Sequence, residues 1–258
     1  MKKNGDGSNT SEKNVKRPHF GIFSDVHSNL EALSVVLEHL EHQGVNSYLC
    51  CGDIVGYGPN PNECVEKVRS IKDCFVVMGN HDAASCGLKD TAWFNKYARA
   101  TLHWTENVLK EENRDYLYRL PRMITGDNYT IVHGSPRDPL NEYLLEEKQF
   151  LENLGYFGTQ VCFIGHSHIP FVVLSQSSKG GIEIKRLREN ETIKLLPDNR
   201  YIINVGSVGQ PRDKDPRACC AVFNSEETEF NFFRLEYEIN KTQEKMHEAK
   251  LLWKRYQT

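Results

Sequence analysis

The chain lacks a basic field: 32 Lys and Arg stand against 35 Asp and Glu, a formal net charge of −3. It therefore carries no global electrostatic footprint for a nucleic-acid backbone. It also lacks any CxxC pair, although it has eight cysteines, which removes the zinc-finger reading. Cys50-Cys51 and Cys219-Cys220 are adjacent inside apolar runs. Neighbours on a strand point to opposite faces, so neither pair suits a disulfide. Reduced, mostly buried thiols are expected, as in a cytoplasmic protein. No apolar run approaches the roughly 20 residues of a membrane span. Residues 1–18, MKKNGDGSNTSEKNVKRP, have no apolar core for a signal or an anchor and read as a disordered polar tail. No repeat and no Pro/Gly/Ser linker divides the remainder, so residues 19–258 are expected to form one domain.

What is present is an alternation. "HFGIFSD", "SYLCCGD" and "CFVVMGNHD" read as strands, separated by the helical stretches "SNLEALSVVLEHLEHQG" and "NPNECVEKVRSI". This β-α-β-α-β order signals a mostly parallel sheet with helices on its faces. Residues 91–119 read as one or two helices carrying Trp93, Phe94, Tyr97 and Trp104, first as a packing stripe and second as a wall of a cleft. An apolar face on that helix would support a homo-oligomer. After Pro170 the segments "FVVLSQ", "GIEIKRL", "ETIKLL", "YIINVGS", "ACCAVFN" and "TEFNFFRLEY" suit a second, more antiparallel sheet, with a closing charged helix from about Glu238 to Tyr256.

The strands end in polar residues of similar kind: Asp25 and His27, Asp53, Asn80, His81 and Asp82, His133, then His166 and His168. The carboxyl ends of parallel strands in an open α/β sheet converge on one crevice, so these distant residues can meet there. A mixture of imidazole and oxygen donors without Cys suits Mn, Fe, Zn or Ni better than Ca or Mg alone. One such His is more often structural than a ligand, but the set is improbable as an accident. His19, His39, His42, His103 and His247 have no ligand partner at useful spacing and are read as surface or packing residues.

The ordered blocks Asp25-Val26-His27, Gly52-Asp53, Gly79-Asn80-His81-Asp82, His133-Gly134 and Gly165-His166-Ser167-His168 resemble the calcineurin-like metallophosphoesterases. "SDVHSNLEAL", "GDIVGYGPNPNE" and "NVGSVGQPRD" look like a bacterial and archaeal branch related to phosphodiesterases and diadenosine-polyphosphate hydrolases. The resemblance implies a four-layer α/β/β/α sandwich with two mixed β-sheets, and two divalent metal ions, Mn foremost. By position, Asp25, His27, Asp53 and His168 would hold one metal. Asp53, Asn80, His133 and His166 would hold the other, with Asp53 bridging. His81 would face a phosphate-ester or nucleotide substrate and protonate the leaving group, while a metal-bridging hydroxide attacks in line. Two such ions carry about four positive charges; Asp25, Asp53 and a hydroxide return about three, which leaves a site attractive to phosphate.

In the protein Ser/Thr phosphatases of that superfamily, an Asp and a phosphate-gripping Arg follow the second block. Gly56 and Tyr57 stand in those places here, which disfavours a phosphoprotein substrate. Ser28 stands where the branch usually has Gly. Anion binding is then expected from Asn29, Arg99 and Arg212. The alternatives to a phosphodiesterase are a broad phosphomonoesterase and a non-catalytic protein-binding scaffold.

Overall fold

The computed structural model describes residues 19–176 and 181–251. The expected tail and the end of the expected closing helix lie outside them. The anticipated alternation is present as β1 (His19–Phe23), α1 (Leu30–His42), β2 (Ser47–Cys50), α2 (Pro61–Ser70) and β3 (Cys74–Val76). There follow α3 (Asn80–Ser85), α4 (Lys96–Val108), α5 (Glu111–Tyr118), β4 (Met123–Thr125), β5 (Tyr129–Val132), α6 (Glu147–Asn153) and β6 (Val161–Ile164). The rest is β7 (Phe171–Gln176), β8 (Ile182–Arg186), β9 (Glu191–Lys194), β10 (Asn199–Asn204), β11 (Ala218–Asn224), β12 (Glu229–Leu235) and α7 (Ile239–Glu248).

Local chemistry explains where the helices begin. Asn29 accepts a hydrogen bond from the Ala32 amide and starts α1, whose Leu33, Val36 and Leu40 form the buried stripe. Pro61 opens α2, where its missing N–H costs nothing. Asn95 accepts from the amides of Tyr97 and Ala98 and starts α4.

Two six-stranded sheets result, ordered β3-β2-β1-β11-β12-β9 and β4-β5-β6-β10-β7-β8. Both are mixed: β1, β2 and β3 run parallel while β1 and β11 are antiparallel, and β5, β6 and β10 run parallel while β10 and β7 are antiparallel. Ile22, Ile131, Phe163, Ile203, Phe223, Phe230 and Phe232 fill the space between the sheets. Phe163 meets Phe223 edge-on at 5.5 Å and stacks with Phe230 at 6.1 Å. Burial of each such ring contributes about 1.5–3 kcal/mol. Residues of α1 and α2 cover the outer face of the first sheet with Cys50, Cys220 and Val222. Phe150 of α6 covers the second with Val132, Cys162 and Ile202. The expected four-layer sandwich is thus observed. Cys51 and Cys219 face the inter-sheet core while Cys50 and Cys220 face outward, and all eight cysteines are unbridged.

One expectation is corrected. The strands after Pro170 do not form a sheet of their own: β9, β11 and β12 join the first sheet, and β7, β8 and β10 extend the one that holds β5 and β6. Alternation tells which residues face the core, but not which edge a strand joins. The crevice is therefore shared between the strand ends of two sheets rather than lying along one. The buried stripe of α4 is Ala98, Thr101, Leu102 and Thr105, not the aromatic residues.

Candidate metal centre

The loops that leave β1, β2, β3, β5 and β6 meet at one end of the sandwich. Asp25, His27, Asp53, His166 and His168 all adopt left-handed backbone, with φ of 53°, 48°, 55°, 67° and 58°. Non-glycine residues hold that conformation only when their surroundings impose it. Here the loops impose it on one another through hydrogen bonds from the Asp25 amide to the Gly52 carbonyl (3.0 Å), His27 to Asp53 (3.0 Å) and Gly165 to His133 (2.9 Å). A Cβ at Gly79 would strike the Asp53 carboxylate, and one at Gly56 would strike the His81 ring. These two positions need glycine because catalytic-type side chains pass against the backbone.

Four imidazoles are each anchored at one nitrogen by a backbone carbonyl. His27 Nδ1 donates to Val55 (3.1 Å), His133 Nδ1 to Cys51 (2.8 Å), His168 Nδ1 to Gln210 (2.6 Å) and His166 Nε2 to Asn141 (3.2 Å). A carbonyl can only accept, so in the neutral form of each ring the opposite nitrogen keeps its lone pair. Those nitrogens face each other: His27 Nε2 lies 3.1 Å from His168 Nε2, and His133 Nε2 lies 3.1 Å from His166 Nδ1 and 3.0 Å from Asn80 Oδ1. Acceptors converging at that range repel unless a cation or a proton lies between them. The donor set thus fits divalent metal, and the carbonyl anchors are the outer partners that fix ring orientation around one. Asp25, His27 and His168 form one group with donor atoms within 4.8 Å of one another, and Asp53, His133 and His166 form a second.

Asp53 lies between them. Its Oδ2 is 3.6 Å from His27 Nε2 and 3.3 Å from His133 Nε2, while Oδ1 accepts from the His81 amide at 2.8 Å. Burial works against its charge, but His133 and His81 outweigh it and hold the carboxyl well below the usual range. Asp25, 3.3 Å from His168 Nε2 and receiving the His166 amide, is lowered in the same way, with His168 the main opposing charge to burial. Burial likewise opposes a charge on His133, yet Asp53 and Asp25 pull it up to about 9. His27 and His166 are pushed well below the ordinary histidine value, chiefly by burial. Asp82 accepts from the Gly79 and Val55 amides and so ties the second and third loops together; burial and Asp53 raise it to about 7.

His81 is built differently. Its ring packs against Tyr57, His27 and Phe94 at 4.7–4.9 Å, and its Nδ1 has no hydrogen-bond partner. Burial lowers its pKa to about 4. In the free protein it is neutral at pH 7, so the imidazolium expected from sequence forms only where an anion beside it supplies the charge.

A cleft of about 850 Å³ opens over Asn80, His81 and His166, a volume that accommodates a nucleotide-sized ligand. Among the three residues expected to grip substrate, Arg212 lines it and donates to the Tyr57 hydroxyl (3.3 Å) and Gln210 Oε1 (2.9 Å). Asn29 does not: 2% exposed, it gives Nδ2 protons to the Gly209 carbonyl and the Tyr237 hydroxyl and takes bonds from Ala32 and Thr242, so its polar atoms are consumed in holding α1 to α7. Arg99 is exposed on α4 and is absent from the cleft lining. Sequence reading missed Lys89, Asn141 and Tyr143, which belong to no motif, and took Tyr57 only as the replacement for an Arg, not as part of the cleft wall. His39, by contrast, packs on Phe233 and His103 pairs with Glu106, in keeping with their expected packing and surface roles.

Residues 19–228 match the calcineurin-like phosphoesterase superfamily domain. The chain belongs to that superfamily. An uncharacterised protein of Methanocaldococcus jannaschii is 40% identical over 235 residues, 89% of this chain and 92% of the relative. The crystal structure of a metallophosphoesterase from Sphaerobacter thermophilus superposes with a TM-score of 0.82 at 40% identity, covering 91% of this chain and 95% of the other. A shorter match, 36% identical over 75 residues and 27% of each chain, is to a symmetrical bis(5'-nucleosyl)-tetraphosphatase of Buchnera aphidicola. As a member of this phosphoesterase superfamily the chain is placed among hydrolases, and its clustered Asp and His residues are candidate ligands for divalent metal. No helix among the described residues is long and apolar enough to cross a membrane.

Proposed function

We propose that this chain is a two-metal phosphoesterase that cleaves phosphodiesters or nucleotide-type phosphoanhydrides in the cytoplasm. The observation that carries the reading is the convergence of four anchored imidazoles, Asn80 Oδ1 and two carboxylates on one buried centre. Asp25, His27, Asp53 and His168 would hold one divalent ion, and Asp53, Asn80, His133 and His166 the other, Mn being the first choice. When bound, such a pair supplies Lewis acidity and an activated water for in-line displacement.

The chain's own residues do the rest. The carbonyls of Val55, Cys51, Asn141 and Gln210 keep the four rings in register, so the donors need no reorganisation when substrate arrives. Arg212, steadied by Tyr57, offers its guanidinium to a phosphate oxygen. His81, whose ring lines the cleft, takes up a proton beside the bound anion and delivers it to the leaving oxygen. Nucleotide substrates are supported by the short match to the tetraphosphatase of Buchnera. Gly56 and Tyr57, in place of Asp and Arg, argue against phosphoprotein.

The test is hydrolysis of bis-p-nitrophenyl phosphate beside p-nitrophenyl phosphate, with Mn added and with chelator. Mn-dependent cleavage of the diester, lost in Asp53→Asn, is expected. A folded, metal-loaded protein inert toward both esters would instead favour the scaffold.

A further inference from the structure

The far wall of the cleft is aromatic, and its construction is local. Asp90 accepts from the Ala92 amide and starts a single 3-10 turn, Thr91–Trp93, while Asn95 caps α4 immediately afterwards. Trp93 and Phe94 are caught between these two caps and cannot join the buried stripe of α4. Trp93 is consequently 86% exposed, and it borders the cleft. So large an apolar ring left in water at the mouth of a polar site marks a contact surface. Phe94 continues that surface inward, edge-on to the His81 ring at 4.9 Å. Lys89 sits beside it, its ammonium 5.8 Å from the Phe94 ring.

From this we infer that Trp93 and Phe94 form a stacking shelf for a nucleobase, placed on the leaving-group side of the reacting phosphate. The inference deepens the proposed function and rests on it for that placement. His81 defines the leaving-group side, and Phe94 touches His81, so the group departing under His81 passes onto the shelf. The same cleft is lined by a cation, Arg212, held against Tyr57. An aromatic shelf and a guanidinium in one cleft match a nucleoside attached to phosphate: every base has a flat face, and stacking on an aromatic side chain is tolerant of base identity. An aliphatic phosphodiester would leave the Trp93 ring exposed to water.

The experiment compares binding of adenosine 5'-monophosphate and ribose 5-phosphate to the Mn-loaded protein by calorimetry, in wild type, Trp93→Ala and Trp93→Phe. The two ligands share the sugar phosphate and differ by the base. Wild type is expected to favour the nucleotide by about tenfold. Trp93→Ala should erase most of that preference while leaving ribose 5-phosphate binding unchanged, and Trp93→Phe should retain part of it. Equal affinity of the two ligands in wild type overturns the shelf, as does a preference that survives in Trp93→Ala. If those results come with a dimer that Trp93→Ala converts to monomer on sedimentation, the ring belongs to a contact between copies. Failure of the shelf alone leaves Mn-dependent diester cleavage intact. Failure of the proposed function removes that cleavage while the nucleotide preference persists.

Discussion

The floor of the cleft and its rim are made by opposite means. On the floor, side chains from five strand-end loops are nearly all buried, each anchored imidazole has a backbone carbonyl behind it, and the backbone is held in left-handed conformations by hydrogen bonds between loops. On the rim, Trp93, Lys89 and Tyr143 extend from helix ends and connections, and Trp93 is 86% exposed. The floor is rigid because its geometry is imposed from several directions at once. The rim is set by one or two caps. Chemistry common to a superfamily belongs on the first kind of surface, and substrate choice on the second.

The comparison breaks most visibly at Asp53. Its replacement by Asn removes the charge shared between the two donor groups, and Mn-stimulated turnover should fall by more than the roughly 10–100-fold typical of outer partners of a metal site. Steady-state hydrolysis of bis-p-nitrophenyl phosphate reads this directly, and residual activity within tenfold of wild type would contradict the bridging role. His81→Ala comes next: a loss of about 10²–10⁴-fold is expected for diesters with alkoxide leaving groups. A smaller loss is expected for p-nitrophenyl esters, whose leaving group needs no proton. Equal losses on both would deny His81 the role of acid.

A third prediction separates floor from rim by pH. In chelator-stripped protein the His133 pKa is raised to about 9 by Asp53 against the opposing effect of burial. A raised pKa means stabilisation that is fully present below about pH 6.5 and lost as the pH climbs through about 9, at most about 3 kcal/mol. Thermal melts of stripped protein should therefore fall in Tm across that window, and saturating Mn should flatten the fall because the cation takes the place of the proton. Parallel curves with and without Mn would count against it.

The smallest effect is at Ser28, which has φ of 55° and a buried hydroxyl without a hydrogen-bond partner. Ser28→Gly should relieve both, raising stability by about 1 kcal/mol and Tm by about 2–4 °C. A drop in Tm would show that the loop uses the hydroxyl.

How far the sequence could be read follows the same division. Strands and ligand-type residues were legible because apolar runs ended in Asp, His and Asn in a recurring order, and side chains at strand ends have little choice of direction. The pairing order was not, since β11 of the first sheet and β10 of the second are both apolar strands buried along nearly their whole length. Asn29 was misread although its signal was present: an Asn immediately before an apolar stripe is a helix cap, and Ala32 is the amide it receives. Arg99 failed because the Asn95 cap sets the phase of α4, burying Ala98 and Leu102 and turning Arg99 to solvent. Trp93 escaped the packing stripe for the same reason. Tyr143 offered no signal, because a rim is assembled by loops that meet only in the fold.

The most direct measurement is calorimetric titration of Mn into the stripped protein. Two ions per chain in wild type, with the stoichiometry or affinity broken in Asp53→Asn and preserved in His81→Ala, is the predicted result. A folded wild-type chain that binds none, or that binds two equally well without Asp53, would contradict the shared centre.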